Sequence, residues 1–196
     1  MKAVHHIYHT NGFVLSSRNV GEANKVFTIY TRELGLVRAF AQGIRLNKSK
    51  NRFALQDFSL SNIDLVKGRD VWRVTSVGSI NSFPFARRNR KSLLLIARVS
   101  SLLERLCTGE EKNQEIFDNL IQAFYLLDGD IEESSREALE LHLVLKILNS
   151  LGYVGEGEIL SKYLSSSFEP GRVSDLLKER QYIIAHINKA LNESQL

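Results

Sequence analysis

The chain has 196 residues, 43% of them apolar and 24% charged, which excludes a disordered or collagen-like chain and sets the expectation of one or two compact soluble domains. Its one cysteine, Cys107, cannot form an internal disulfide or a four-thiolate zinc site, so a disulfide-stapled secreted fold is excluded as well. The net charge of +4 conceals a division: residues 1–92 carry 16 basic and 5 acidic side chains, net +11, whereas 93–196 carry 10 and 17, net −7.

The amino terminus, Met1-Lys2-Ala3-Val4-His5-His6-Ile7, has no apolar core of signal-peptide length, and a cytoplasmic protein is expected. From Gly12 the apolar residues alternate with period two between turn residues, the pattern of short antiparallel strands. Three strands are predicted over 12–17, 26–31 and 36–42, with Arg32-Glu33-Leu34-Gly35 as a hairpin connection whose Gly35 takes a positive φ. Two more are predicted over 60–66 and 71–77, joined through Lys67-Gly68-Arg69-Asp70. Five strands in fewer than 85 residues, with a long excursion after the third, predict a small closed or partly closed barrel of the OB type over 1–82.

Pro84 stops the last strand, and Ala86-Arg87-Arg88-Asn89-Arg90-Lys91 reads as a basic hinge within 83–92. Beyond it the period changes to 3.6. Stripes at Leu95, Val99, Leu102, Leu103 and Leu106, then Ile116 to Leu127, then Leu139 to Leu151, predict three amphipathic helices, with Gly152 closing the third. Shorter helices are predicted over 156–164 and 173–192, so the fold class is α+β: a five-stranded OB-type barrel followed by a helical bundle over 93–196. The most apolar window, 93–103, is cut by Arg98 and followed by Glu104, too short to span a membrane.

Catalytic chemistry has no foothold in this pattern. There is no Gly-x-Ser-x-Gly elbow and no Gly-Lys-Ser/Thr phosphate loop, and Cys107 has no histidine near it in sequence. His5, His6, His9, His142 and His186 are too scattered for a metal site, while Glu110-Glu111 and Glu132-Glu133 read as solvated acids at loops and helix starts. A non-enzymatic binding module without cofactor is expected.

The positive signal is the run Gln42-Gly43-Ile44-Arg45-Leu46-Asn47-Lys48-Ser49-Lys50-Asn51-Arg52, four cations with no acid, which reads as a mobile basic loop able to fit phosphates. Tyr30, Phe40, Phe53 and Trp72 are candidate faces for unstacked bases, with at most one or two of them expected at the surface. The expected nucleic-acid contacts are Arg45, Lys48, Lys50 and Arg52 in the loop, Arg18, Lys25 and Arg38 on the barrel, and Arg87, Arg88, Arg90 and Lys91 in the hinge. The charge pattern alone also permits an OB-fold RNA-binding protein of ribosome assembly or translation, or a scaffold whose basic face docks an acidic protein.

The run from Gly12-Phe13-Val14-Leu15 through Gly21-Glu22-Ala23 and Thr31-Arg32-Glu33-Leu34-Gly35 resembles the amino-terminal domain of the RecO recombination mediator family. Gly43-Ile44-Arg45, Lys48-Ser49-Lys50 and Leu55-Gln56-Asp57-Phe58 continue it in order, and the run from Glu140 to Gly152-Tyr153 is similar to the family's helix ending in Leu-Gly-Tyr. Many members carry a four-cysteine zinc element after that helix; here the cysteines are missing, as in the shorter, metal-free members. The resemblance implies a DNA repair and recombination mediator associated with the nucleoid. It would bind single- and double-stranded DNA, promote annealing and, with RecR, load RecA on strands coated by single-strand-binding protein.

Overall fold

The computed structural model describes residues 6–47, 49–69, 71–154, 158–165, 168 and 173–193. The chain forms two compact units, one of Met1–Phe83 with Ile96–Gln114, the other of Pro84–Leu95 with Glu115–Leu196.

The first unit is a closed barrel of β1 (Ile7–Val20), β2 (Asn24–Thr31), β3 (Gly35–Ala41), β4 (Leu60–Lys67) and β5 (Trp72–Asn81), ordered β1-β2-β3-β5-β4. All five strands stand where the period-two pattern predicts them. β1 is longer than its apolar alternation, because its polar first half gains a partner at long range: Ile7 to Phe13 pair with Val66 to Leu60 of β4. Its second half pairs with β2, Gly12 opposite Thr31 through Val20 opposite Asn24. The register shift between Val14 and Ser16 bends the strand between these two partners. A short parallel contact, Ala39 with Trp72 and Phe40 with Arg73, closes the barrel. Val14, Phe27, Ile29, Val37, Ala39, Ile63, Leu65 and Trp72 fill the interior, with Ile44 and Leu55 from the β3–β4 connection.

Residues 96–114 belong to this unit for reasons visible in single bonds. Glu110 accepts hydrogen bonds from Lys67 Nζ and from Trp72 Nε1, both at 2.7 Å. Tyr30 donates its hydroxyl to the Asn113 carbonyl at 3.4 Å. Gly35 has φ +70°, and a Cβ there would lie 2.1 Å from the Glu111 carbonyl oxygen, so both the hairpin turn and the close approach require glycine.

The second unit is helical. It contains α1 (Pro84–Arg88), the first residues of α2 (Arg90–Leu106), α3 (Gln114–Leu127) from Glu115 onward, α4 (Glu133–Ser150), α5 (Glu158–Leu164), α6 (Val173–Lys178) and α7 (Arg180–Glu193). The sequence predicted a single helix over 173–192; it is two, α6 and α7, separated at Glu179. The basic residues around Asn89 are themselves helical. Pro84 opens α1, whose Phe85 and Ala86 N–H groups are capped by Asp128 Oδ1 at 2.8 and 3.0 Å. Asn89 Oδ1 caps α2 by accepting from Lys91 and Ser92 N–H at 3.0 and 3.1 Å. α4 ends as its Leu-Gly-Tyr run predicts: Gly152 takes φ +78°, its N–H reaches the Asn149 carbonyl, and Tyr153 N–H reaches that of Leu148. Among the described residues, no helix is long and apolar enough to cross a membrane.

Candidate nucleic-acid interface

The alternation that fills the barrel also sorts its cations. On β2 and β3 the inward positions Phe27, Ile29, Val37, Ala39 and Ala41 are buried, which puts Val26, Thr28, Arg38 and Phe40 on the outward face. Register then extends the face across four strands. Arg18 of β1 lies opposite Val26, Val26 opposite Phe40, and Phe40 opposite Arg73 of β5. In the next row Ser16 lies opposite Thr28, and Thr28 opposite Arg38. Arg18, Arg38 and Arg73 are exposed, and Phe40, in the first row, is half-buried. Three guanidinium groups and one aromatic ring thus share one outward sheet face.

Lys25 does not join them. It falls on the inward register, where its ammonium donates to Ser17 Oγ at 3.1 Å and lies 5.7 Å from the Phe27 ring centre. Arg73 was absent from the expected contacts. Its place depends on the parallel β3–β5 pairing, which no local pattern announces.

The connection from β3 to β4 is anchored near both of its ends, where the composition predicts a mobile loop. Gly43, with φ +64°, donates its N–H to Asn24 Oδ1 at 2.8 Å. Arg45 donates its N–H to the Ala23 carbonyl and its Nη1 to the Gly21 carbonyl, each at 3.0 Å. Ile44 and Leu55 enter the core, and Lys50–Arg52 form a single turn of 3₁₀ helix. Arg45 and Arg52 remain exposed, Arg52 donating to Asn47 Oδ1 at 3.3 Å. Lys48 lies outside the described residues, as does the side chain of Lys50.

The remaining expected contacts, Arg87, Arg88, Arg90 and Lys91, belong to the second unit. Arg88 and Arg90 are exposed, and Lys91 pairs with Glu133 at 3.0 Å, a carboxylate that also takes Arg136 at 2.5 Å. That double pairing, led by Lys91, holds the Glu133 carboxyl below the usual carboxylate range.

Of the four candidate aromatics, Tyr30 and Trp72 are buried and present no face to a base. Tyr30 lies beneath the segment carrying Glu111 and Asn113, and burial pushes its hydroxyl far above the ordinary tyrosine range. Phe53 is 68% exposed. Cys107 is half-buried, and burial, with a smaller contribution from Glu111, pushes its thiol up to about 11, which leaves it protonated at neutral pH. Among the described residues, no cluster of three or more histidine, cysteine or acidic side chains is placed to hold a metal ion.

Residues 1–83, the span of the barrel, match the family model described as Recombination protein O N terminal. The chain is 33% identical to the DNA repair protein RecO of Pelotomaculum thermopropionicum over 147 residues, covering 75% of this chain and 56% of that protein. It is 29% identical over 167 residues to the protein of the same name in Alkaliphilus metalliredigens, covering 84% and 63%. In Clostridium acetobutylicum the identity is 27% over 185 residues, covering 88% and 73%. The chain spans little more than half the length of the Pelotomaculum relative and 52% of that of Desulfitobacterium hafniense.

Proposed function

Because the chain belongs to the RecO family, through an amino-terminal domain that matches its model and relatives that share most of its length, we propose that it acts in DNA repair and recombination as a non-catalytic strand-holding protein. The observation that carries this reading is the outward row Arg18, Val26, Phe40 and Arg73 with Arg38 beside it. Three inter-strand spacings make the row about 14 Å long, the length of about four phosphates of a stacked strand. Residues 1–83, with 12 basic and 5 acidic side chains, supply a net +7 to attract such a strand from a distance.

Contacts of this kind go to phosphates and leave the pairing edges of the bases unread. A surface that neutralises phosphates without occupying those edges reduces the repulsion between two complementary strands and lets them pair. On this reading the protein binds single- and double-stranded DNA with little sequence preference, promotes annealing, and acts with RecR to place RecA on strands covered by single-strand-binding protein. Arg87, Arg88, Arg90 and Lys91 form a second cationic stretch, whereas residues 115–196, with 7 basic and 14 acidic side chains, carry net −7 and favour protein partners over phosphate.

Fluorescence anisotropy of labelled single-stranded DNA, duplex DNA and structured RNA at several salt concentrations tests the reading, together with the annealing rate of complementary strands. Salt-dependent binding of DNA and faster annealing are expected. Preference for structured RNA, or no nucleic-acid binding at low salt, overturns it.

A further inference from the structure

Among the described residues, Phe53 has the greatest fractional exposure of the large apolar side chains in the barrel's unit, 68%, on a basic segment whose other exposed large apolar side chain is Leu46. An isolated exposed apolar residue needs no explanation on its own. Three further observations single this one out. The backbone around it is held, since Leu55 N–H bonds the Asn51 carbonyl at 3.0 Å and Leu55 is buried in the barrel core. Ile44 and Leu55 are the residues of the connection that enter the barrel core, whereas Phe53, two residues before Leu55, stands outside it. The Arg52 guanidinium carbon lies 4.8 Å from the Phe53 ring centre, which orders the ring and sets a cation beside it.

An ordered aromatic face with an adjoining guanidinium suits one ligand chemistry in particular: a flat, unpaired base attached to a phosphate. Stacking supplies affinity that every base can provide, since each has a π-face. A base inside a duplex is already stacked on both sides and offers nothing to an aromatic ring on the surface.

We propose that Phe53, ordered by Arg52, is a base-stacking station that makes the connection between β3 and β4 selective for unpaired strands, while the outward row of the barrel holds any strand. This rests on the reading of the barrel as a DNA-binding surface and assigns the single-strand preference to one side chain. Stacking engages the face of a base and leaves its pairing edge free, so a strand held at Phe53 stays competent to anneal.

The experiment compares the full chain with Phe53→Ala and Phe53→Trp on a labelled oligothymidine, on the same strand carrying abasic sites, and on a duplex of equal length. Phe53→Ala is expected to weaken oligothymidine binding roughly 5- to 150-fold, with duplex binding and the salt slope unchanged. The abasic strand should bind the parent and Phe53→Ala alike, and Phe53→Trp should retain affinity and show quenched emission on the oligothymidine. Equal losses on single strand and duplex, or a loss on the abasic strand as large as on the intact one, overturn the stacking role while leaving the DNA-binding reading in place. Failure of the parent protein to bind any of the three overturns both. The exposed position makes misfolding a poor source of the effect, and an unchanged thermal midpoint for Phe53→Ala checks this.

Discussion

Replacing Arg18, Arg38 and Arg73 together by Ala removes every charge from the outward face shared by β1, β2, β3 and β5 while sparing the core, because all three side chains are exposed. Each cation that neutralises a phosphate of a single strand contributes about 0.7 to the magnitude of the log–log slope of affinity against salt, and about 0.9 on a duplex. The triple variant should therefore lose about 2 from the slope on single strands and between 2 and 3 on duplex. At 0.1 M salt, one decade below the 1 M reference, a change of about 2 in slope corresponds to roughly a 100-fold loss of affinity. The loss should be similar for every sequence, since no base edge is involved. The assay is anisotropy titration across a salt series, with circular dichroism to check the fold. Neutralising Lys162 and Lys178, on the acidic stretch 115–196, is the matched control and should change nothing measurable. An unchanged slope in the triple variant would mean that these guanidinium groups only solvate the barrel, and the interface would have to be sought elsewhere.

Three stability predictions follow from single positions. Gly35→Ala should destabilise by more than the roughly 1–2 kcal/mol of a left-handed non-glycine residue, because the new Cβ also meets the Glu111 carbonyl; Gly21→Ala, with φ +60° and nothing within 4 Å, should cost only the conformational part, and urea midpoints of the two variants provide the comparison. Leu143→Ala should cost about 2–5 kcal/mol, since this α4 side chain is fully buried in the helical unit; an unchanged thermal midpoint would refute its place in the core. The hydrogen bond from Lys67, with lesser help from the Trp72 hydrogen bond and the Lys67 charge, holds Glu110 below the usual carboxylate range against the opposing effect of burial. A carboxylate lowered on folding stabilises above its unfolded value, near 4.3, and the contribution is lost as pH falls through the folded value. Glu110→Gln should therefore lower the thermal midpoint at pH 7 and differ progressively less from the parent below about pH 4.

Five strands were legible in the sequence because barrel burial writes itself as alternation, as in Val37-Arg38-Ala39-Phe40-Ala41, where every second residue is interior. Helices α2, α3 and α4 were legible for the corresponding reason at period 3.6. Boundaries set by a distant partner were not: Ile7 to Asn11 carry no apolar alternation of strand length and become strand through pairing with β4. The same limit explains the site. Arg18 and Arg38 were recognisable as exposed strand cations, but whether two cations share a face depends on register, which put Lys25 on the inward side and brought in Arg73 through a parallel contact with Phe40. Composition also misled where anchoring is made by single atoms. The run from Gly43 to Arg52 reads as loose chain, yet Asn24 Oδ1, the Ala23 and Gly21 carbonyls and the buried Ile44 hold its start, and buried Leu55 fixes the chain just after it. That restraint bears on function, because a guanidinium or an aromatic ring on an ordered segment gives up less conformational entropy on meeting a strand than one on a free loop. On the proposed reading, the glycines and the asparagine that fix the loop would therefore contribute to strand binding without touching the strand.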